Sequence, residues 1–113
     1  MHEMAIAEGI LDIALDYAEK NSASRIVEVG LRLGEMSGVE TESLEMAFRM
    51  ITSGTPAEGA KLSIVHVPLV GRCSKCGKDF PVERYSFWCP ECGDGVLGIV
   101  SGREMQVEYL EVD

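Results

Sequence analysis

Two Cys-x-x-Cys pairs are the residues in this chain best suited to chemistry. They are Cys73 with Cys76 and Cys89 with Cys92, and twelve residues separate the pairs. One such turn brings two thiolates to the same ion, so two turns supply the four ligands of a tetrahedral site. A glycine follows each pair, at Gly77 and Gly93, and glycine tolerates the positive φ that these turns often need.

The four-thiolate set predicts a structural zinc ion, because no coordination position is left open for water. A module of about thirty residues builds too small a core alone, so the ion would supply much of its folding free energy. The aromatic residues expected to pack around it are Phe80, Tyr85, Phe87 and Trp88. A redox iron centre is an alternative, because a tetrahedral sulfur shell also suits iron. Four free buried thiols are a further alternative.

The N-terminus offers a second set of donors. His2 follows Met1, which is expected to remain because methionine aminopeptidases remove methionine only before small residues. An α-amine, a backbone amide nitrogen and an imidazole can close fused chelate rings around one ion. This planar, nitrogen-rich set suits Ni(II) or Cu(II) rather than zinc. The plainer alternative is a frayed, solvated histidine.

The elements that position these donors begin with a helix over residues 3–20, in which apolar residues recur at helical spacing. The predicted buried stripe consists of Ile6, Ile10, Ile13 and Tyr17, flanked by Ala7, Leu11, Ala14 and Ala18. A second helix is expected to start through Ser37 or Thr41 and to end near Ser53. Its Met46 and Met50 are expected to serve packing or a contact surface.

Three strands are predicted, over residues 25–33, 61–68 and 103–112. In the first, Val27, Val29, Leu31 and Leu33 are expected to share one face. We therefore predict an α+β fold with a small mixed β-sheet and two helices, plus a zinc-ribbon-like four-cysteine module. The body would comprise residues 1–69 and 103–113, the metal module would comprise residues 70–102, and the last strand would rejoin the sheet of the body.

Charge restricts the classes of partner. The chain has 19 acidic and 10 basic residues, a formal charge of −9 and a pI near 4.6. Such a surface repels phosphate backbones and anionic membranes, so neither nucleic acid nor a membrane is expected as a partner. No apolar run approaches the roughly 20 residues that cross a bilayer, and the N-terminus does not resemble a signal peptide. We expect a cytoplasmic protein with reduced cysteines.

Several segments together resemble the HypA/HybF family of nickel-delivery metallochaperones, over essentially the whole chain. They are the opening MHEM before an amphipathic helix, VGLRLGE at residues 29–35, GTPAEGA at residues 54–60, the paired Cys-x-x-Cys module and the closing strand. The resemblance implies a chaperone that gives nickel to the large subunit of [NiFe]-hydrogenase during maturation. It also implies the GTPase HypB as a partner, and in some organisms urease maturation proteins.

The same resemblance assigns the site residues. Nickel, Ni(II), would bind His2, with the Met1 amine and the backbone nitrogens of His2 and Glu3 as neighbouring donors. The Glu3 side chain would tune the site or a partner contact. Structural zinc, Zn(II), would bind Cys73, Cys76, Cys89 and Cys92.

No catalytic constellation is evident, so the chain is not expected to be an enzyme, and GTP hydrolysis would belong to a partner. Three other functions share part of the pattern. A rubredoxin-like electron carrier would use the same sulfur shell for iron. A zinc-ribbon nucleic-acid module would share the cysteines, although the charge argues against it. A structural zinc-bearing adaptor would make the N-terminus irrelevant.

Overall fold

The computed structural model describes residues 3–93 and 95–113. Its helices and strands are, in chain order, α1 (Glu3–Lys20), β1 (Ile26–Gly34), a 3₁₀ turn (Glu35–Ser37), α2 (Thr41–Thr52), β2 (Lys61–Val67), β3 (Val70–Cys73), β4 (Asp79–Pro81), β5 (Leu97–Ser101) and β6 (Met105–Val112). These elements form two three-stranded sheets, in the orders β2-β1-β6 and β4-β3-β5. The predicted α+β fold class is confirmed, as is the return of the last strand to the sheet of β1.

The chain divides into two compact units. Unit 1 takes in the described residues of 1–32, 38–65 and 106–113, and unit 2 takes in those of 33–37 and 66–105. Within the described ranges, no helix is both long and apolar enough to cross a membrane.

The core of unit 1 lies where α1 and α2 pack on each other and on the sheet. Its buried side chains are Ala7, Ile10, Leu11, Ala14 and Ala18 from α1, Ile26, Val29 and Leu31 from β1, Leu44, Ala47 and Phe48 from α2, and Ala57. Alanines make up most of the buried face of α1, so its backbone can approach its neighbours closely. Phe48 of α2, which belongs to the same buried cluster, is the largest fully buried side chain.

The prediction of which residues form the buried stripe of α1 is partly wrong. Ile13 is 53% exposed and Tyr17 is 44% exposed, whereas Ile10 is buried as expected. At about 100° per residue, Ile13 lies about 140° around the helix from the line through Ala7, Leu11 and Ala18. The small residues that were expected only to flank the stripe are instead its centre.

The alternation predicted for β1 holds from its middle onward. Val29, Leu31 and Leu33 are buried, but Val27 is exposed and Ile26 takes the core position. On the sheet the ring of Tyr109 covers Gly30 so closely that a Cβ at this glycine would overlap it.

The beginning of α2 agrees with one of the two predicted starting residues. Glu40 is the N-cap residue and Thr41 is the first helical residue, whereas Ser37 belongs to the 3₁₀ turn. The backbone N–H of Glu40 donates to Oε2 of Glu3 at 3.2 Å. A carboxylate at the start of one helix therefore stabilises the start of the other, where the helix dipole favours negative charge.

Unit 2 contains the antiparallel sheet β4-β3-β5, in which Gly71 of the central strand lies opposite Phe80 and Ile99. Its buried core consists of Leu69, Cys73, Val82, Cys89 and Leu97, with Phe80, Phe87 and Ile99 packed against them. Because this core is small and two of its five buried members are cysteines, the thiols are part of the packing.

Two of the four aromatic residues that were expected to pack inside the metal module do so. Phe80 and Phe87 pack on the core, whereas Tyr85 and Trp88 are exposed. Arg84 and Tyr85 both have positive φ in a turn closed by the Ser86 N–H, and this turn places Tyr85 outside. Trp88 forms a β-bridge with Val96 next to Cys89, and because neighbours in an extended segment alternate in direction, the inward cysteine leaves the tryptophan outward.

Phe48→Ala should lower the free energy of unfolding of the zinc-loaded protein by about 3–5 kcal/mol, because it leaves a cavity in the core of unit 1. Met46→Ala, on the exposed face of the same helix, should change it by less than about 0.5 kcal/mol. Urea unfolding followed by far-UV circular dichroism measures both values. Equal losses for the two variants would contradict this description of the core.

Candidate metal centre

The four cysteine sulfurs form one cluster. All four Sγ atoms lie within 4.8 Å of one another. Sγ of Cys73 is 3.5 Å from Sγ of Cys92, and Sγ of Cys76 is 3.8 Å from Sγ of Cys89. A disulfide would require about 2.05 Å. With zinc–sulfur bonds of about 2.3 Å, the edges of a tetrahedron are about 3.8 Å long, so the sulfurs already have the spacing of a tetrahedral thiolate site.

Two similar turns hold the sulfurs. In the first, the Gly77 N–H donates to the Cys73 carbonyl at 3.0 Å, and in the second the Gly93 N–H donates to the Cys89 carbonyl at 3.0 Å. Both glycines have positive φ, of 72° and 76°, as the sequence predicted. The first turn follows directly from the end of β3, so the sheet of unit 2 fixes its direction.

Backbone N–H groups also point at the sulfurs. Sγ of Cys73 accepts hydrogen bonds from the N–H groups of Lys75 and Cys76, both at 3.4 Å. Sγ of Cys89 accepts one from the N–H of Cys92 at 3.5 Å. The first cysteine of each pair is buried and the second is exposed. The N–H groups therefore stabilise negative charge on the two sulfurs that have least access to water.

The thiols do not ionise alike. The pKa of Cys73 is lowered to about 6, mainly because the Cys76 N–H donates to its sulfur, and the Lys75 N–H adds to this effect. For Cys76, a hydrogen bond with the Lys78 backbone acts to lower the pKa, but desolvation and the thiols of Cys73 and Cys89 outweigh it and raise the pKa to about 11. One thiolate therefore opposes the formation of the next, and a divalent cation among them would remove this repulsion.

Charged side chains near the cluster are paired with one another. Arg72 forms a bidentate ion pair with Asp79 across β3 and β4, at 2.7 and 3.2 Å. Nζ of Lys78 contacts Oε2 of Glu91 at 2.8 Å and so links the first cysteine turn to the second. The pairing raises the pKa of Lys78. Lys78 therefore adds a weak, solvent-exposed link between the two turns, whereas Arg72 joins β3 to β4.

Gly95 is a further residue of the site, and the sequence analysis did not identify it. A Cβ at this position would overlap Sγ of Cys73 and lie 3.1 Å from Sγ of Cys92. Its carbonyl also accepts the Cys89 N–H at 2.9 Å. The sequence signal for this role is a second glycine within three residues after Cys92, but the spacing of the cysteines predicted a role only for the first, Gly93.

The donor set fits the predicted ion. Four sulfurs at tetrahedral spacing, with no nitrogen or oxygen side chain among them, suit zinc in a closed structural site. In the part of the chain that the structure describes, this is the one group of three or more histidine, cysteine or acidic residues placed to hold a metal.

The structure describes one of the three residues predicted to bind nickel. Met1 and His2 lie outside the described residues. Glu3 is the first residue of α1, and its carboxylate accepts the hydrogen bond from the Glu40 N–H. The Glu3 side chain therefore fixes the start of α1 against α2.

The sequence is similar to one family of proteins over nearly its full length. Residues 1–112 match the family model described as HypA, a hydrogenase/urease nickel incorporation metallochaperone. Among curated relatives, the chain is 43% identical to the hydrogenase maturation factor HypA of Geobacter sulfurreducens. It is 39% identical to that of Dechloromonas aromatica. Both alignments cover 100% of this chain and 100% of the relative.

Two solved structures share the fold. The solution structure of the Ni metallochaperone HypA from Helicobacter pylori aligns with a TM-score of 0.68 at 24% identity, covering 99% of this chain and 97% of that one. A solution structure of a HypA protein aligns with a TM-score of 0.74 at 25% identity, covering 99% and 96%. The sequence matches confirm the family identified above by resemblance, and the two structures share its fold.

Gly95→Ala should lower zinc affinity by about 10- to 100-fold, the range found when groups supporting metal ligands are altered, because the added methyl group pushes Cys73 and Cys92 apart. Competition with a chromophoric chelator measures the affinity. Gly98→Ala is the matched control, because a Cβ there meets nothing within 4 Å. Unchanged affinity in Gly95→Ala, or an equal loss in both variants, would contradict the role of Gly95.

Proposed function

Because the chain belongs to the HypA family of hydrogenase maturation nickel metallochaperones, we propose that it binds Ni(II) at its N-terminus and delivers it to the large subunit of a [NiFe]-hydrogenase. The observation that carries the proposal is the separation of donor types along the chain. The clustered side-chain donors are four thiols with the spacing of a closed site. A cargo ion that must be released needs a different, more accessible set.

The N-terminal donors have this character. They are the Met1 amine, the His2 imidazole and the backbone nitrogens of His2 and Glu3. Such a nitrogen-rich, planar set suits Ni(II), and protonation or the competing ligands of a partner can dismantle it. Since the Glu3 carboxylate is engaged at the start of α2, we assign to Glu3 a backbone donor and a side chain that positions the first turn of α1.

We assign zinc to Cys73, Cys76, Cys89 and Cys92 as a resident, structural ion. When bound, it neutralises the clustered thiolates and contributes folding free energy to unit 2. The core around the cluster has only three buried apolar side chains that are not cysteine, so the demand for such a contribution is high. A role in cargo transfer is disfavoured, because releasing this ion would remove the support of the module.

Delivery requires partners that supply what this chain lacks. No phosphate-binding loop occurs in the sequence, so nucleotide hydrolysis is assigned to the GTPase HypB. The large hydrogenase subunit is the recipient, and urease maturation proteins are a further class of partner. Four thiolates around zinc add −2 to the formal charge of −9, so nucleic acid remains an unfavourable partner.

A rubredoxin-like electron carrier is the second candidate, because the spacing of the four sulfurs also suits iron. Iron in a thiolate shell absorbs visible light and zinc does not. A colourless protein with one zinc ion per chain would exclude this alternative.

Zinc-loaded protein with a native N-terminus should bind one Ni(II) per chain in a calorimetric titration. One extra residue before Met1, or His2→Ala, should abolish this binding, because the first converts the amine to an amide and the second removes the imidazole. Affinity should fall as pH drops below about 6.5, where a proton competes for the imidazole. His66→Ala, which alters the other histidine, is the control. Full nickel affinity in His2→Ala would refute the assignment.

Cys92→Ala should lose the zinc that the purified protein carries and destabilise unit 2, because three thiolates leave the tetrahedron open. Ser74→Ala alters the first cysteine turn without removing a thiol and should retain one zinc ion per chain. Metal content by mass spectrometry and the dispersion of unit 2 amide resonances report the two effects. Unchanged zinc content and fold in Cys92→Ala would show that the cluster is not the zinc site.

A further inference from the structure

A groove on unit 1 is lined by two apolar side chains of α1 that the core leaves exposed. Ile13 and Tyr17 of α1 line it together with residues 107–110 of β6, and its volume is about 380 Å³. Tyr109 is 44% exposed, and the two α1 residues are the ones predicted to be buried but found on the surface. The ring of Tyr109 lies over Gly30 and its hydroxyl donates to Glu28, so the apolar surface of the groove that a partner can contact is mainly that of Ile13 and Tyr17.

The groove lies beside an open strand edge. β6 ends the sheet order β2-β1-β6, so the structure pairs it on one side only. It is eight residues long and contains neither proline nor lysine. Proteins usually protect an edge of this length with such residues, because its unpaired N–H and C=O groups bind other strands. This edge is therefore suited to pairing with an added strand.

The charge around the groove determines which kind of segment can bind there. Unit 1 contains 13 acidic and 5 basic residues, a formal charge of −8. Asp12 and Asp16 adjoin the two groove residues of α1, and Glu108 and Glu111 lie on β6. A second copy of this chain would bring carboxylates against carboxylates. A segment carrying lysine or arginine would have complementary charge.

The basic side chains nearby offset this charge only weakly. Lys20 contacts Asp16 at 2.9 Å, and Arg32 contacts Glu108 at 3.7 Å. Both pairs are exposed to solvent, where an ion pair contributes little and a competing cation can exchange with it.

We propose that the groove between α1 and β6 binds an extended segment of a partner protein in which basic and aliphatic residues alternate. The main chain of the segment pairs with the free edge of β6. Its aliphatic side chains contact Ile13 and Tyr17, and its basic side chains face Asp12, Asp16 and Glu108. This inference is independent of the proposed metal sites, since no residue of the groove is a metal ligand.

A second exposed apolar pair serves as the comparison surface. Met46 and Met50 lie one turn apart on α2 and are each more than 60% exposed. They do not line the groove that Glu45, Phe48 and Arg49 form along the same helix, and they lie on a helix rather than beside a strand edge. A partner that recognises only exposed apolar side chains or negative charge would bind at this pair as well as in the groove.

The test uses the zinc-loaded full chain and a fluorescein-labelled eight-residue peptide of alternating valine and lysine, followed by fluorescence anisotropy. Binding in the micromolar range is expected, and Ile13→Lys should weaken it at least tenfold. Met50→Lys adds the same charge at another exposed apolar position of unit 1 and should change affinity less than twofold. Replacing the lysines of the peptide with glutamate, or N-methylating alternate residues, should abolish binding.

Amide chemical shifts locate the peptide on the protein. The proposal expects the largest changes in β6 and around Ile13 and Tyr17. Absence of binding at millimolar peptide, equal losses in Ile13→Lys and Met50→Lys, or shifts centred on α2 would each overturn it. So would sedimentation showing that wild-type protein forms a dimer and that Ile13→Lys makes it monomeric, because a second copy would then be the occupant.

Discussion

The folding of unit 2 depends on a cluster of four thiols whose sulfurs lie within 4.8 Å of one another. Two of the five buried residues in its core cluster, Cys73 and Cys89, are also members of the thiol cluster, so the core and the metal centre share residues. Backbone N–H groups favour the first thiolate, yet each further negative charge raises the cost of the next. A divalent cation resolves this conflict, and structural zinc in small peptides contributes about 10–16 kcal/mol of apparent binding free energy. Gly95, the two glycine turns and the Lys78–Glu91 ion pair all serve to bring the sulfurs together.

Unit 1 is held together by apolar packing rather than by clustered metal ligands among its described residues. Its two helices and three strands bury a continuous apolar core, and Glu3 joins the start of α1 to the start of α2. Met1 and His2 precede Glu3 directly, so a metal bound by the proposed N-terminal donors would lie next to this junction in sequence. A resident ion in a thiolate shell and a cargo ion on nitrogen donors can then share one chain, because their ligands differ in softness and in ease of release.

Much of this structure was predictable because local spacing determines it. The Cys-x-x-Cys pairs predicted the cluster, and the following glycines predicted the positive φ of Gly77 and Gly93. What failed depends on tertiary packing. Periodicity cannot tell whether α1 buries its large apolar residues or its alanines, and the approach of α2 and the sheet selects the alanines. Trp88 faces outward because Cys89 faces inward, and the role of Gly95 appears only when two distant turns meet. The side chain of Glu3 likewise binds a backbone group 37 residues away.

We propose that ligand chemistry segregates the two metals within one chain. X-ray absorption on protein with a native N-terminus, loaded with one equivalent each of zinc and nickel, tests this proposal directly. The expected result is four sulfur scatterers at about 2.3 Å around zinc and a nickel shell made only of nitrogen and oxygen. Sulfur in the nickel shell, or nitrogen and oxygen replacing sulfur around zinc, would contradict it.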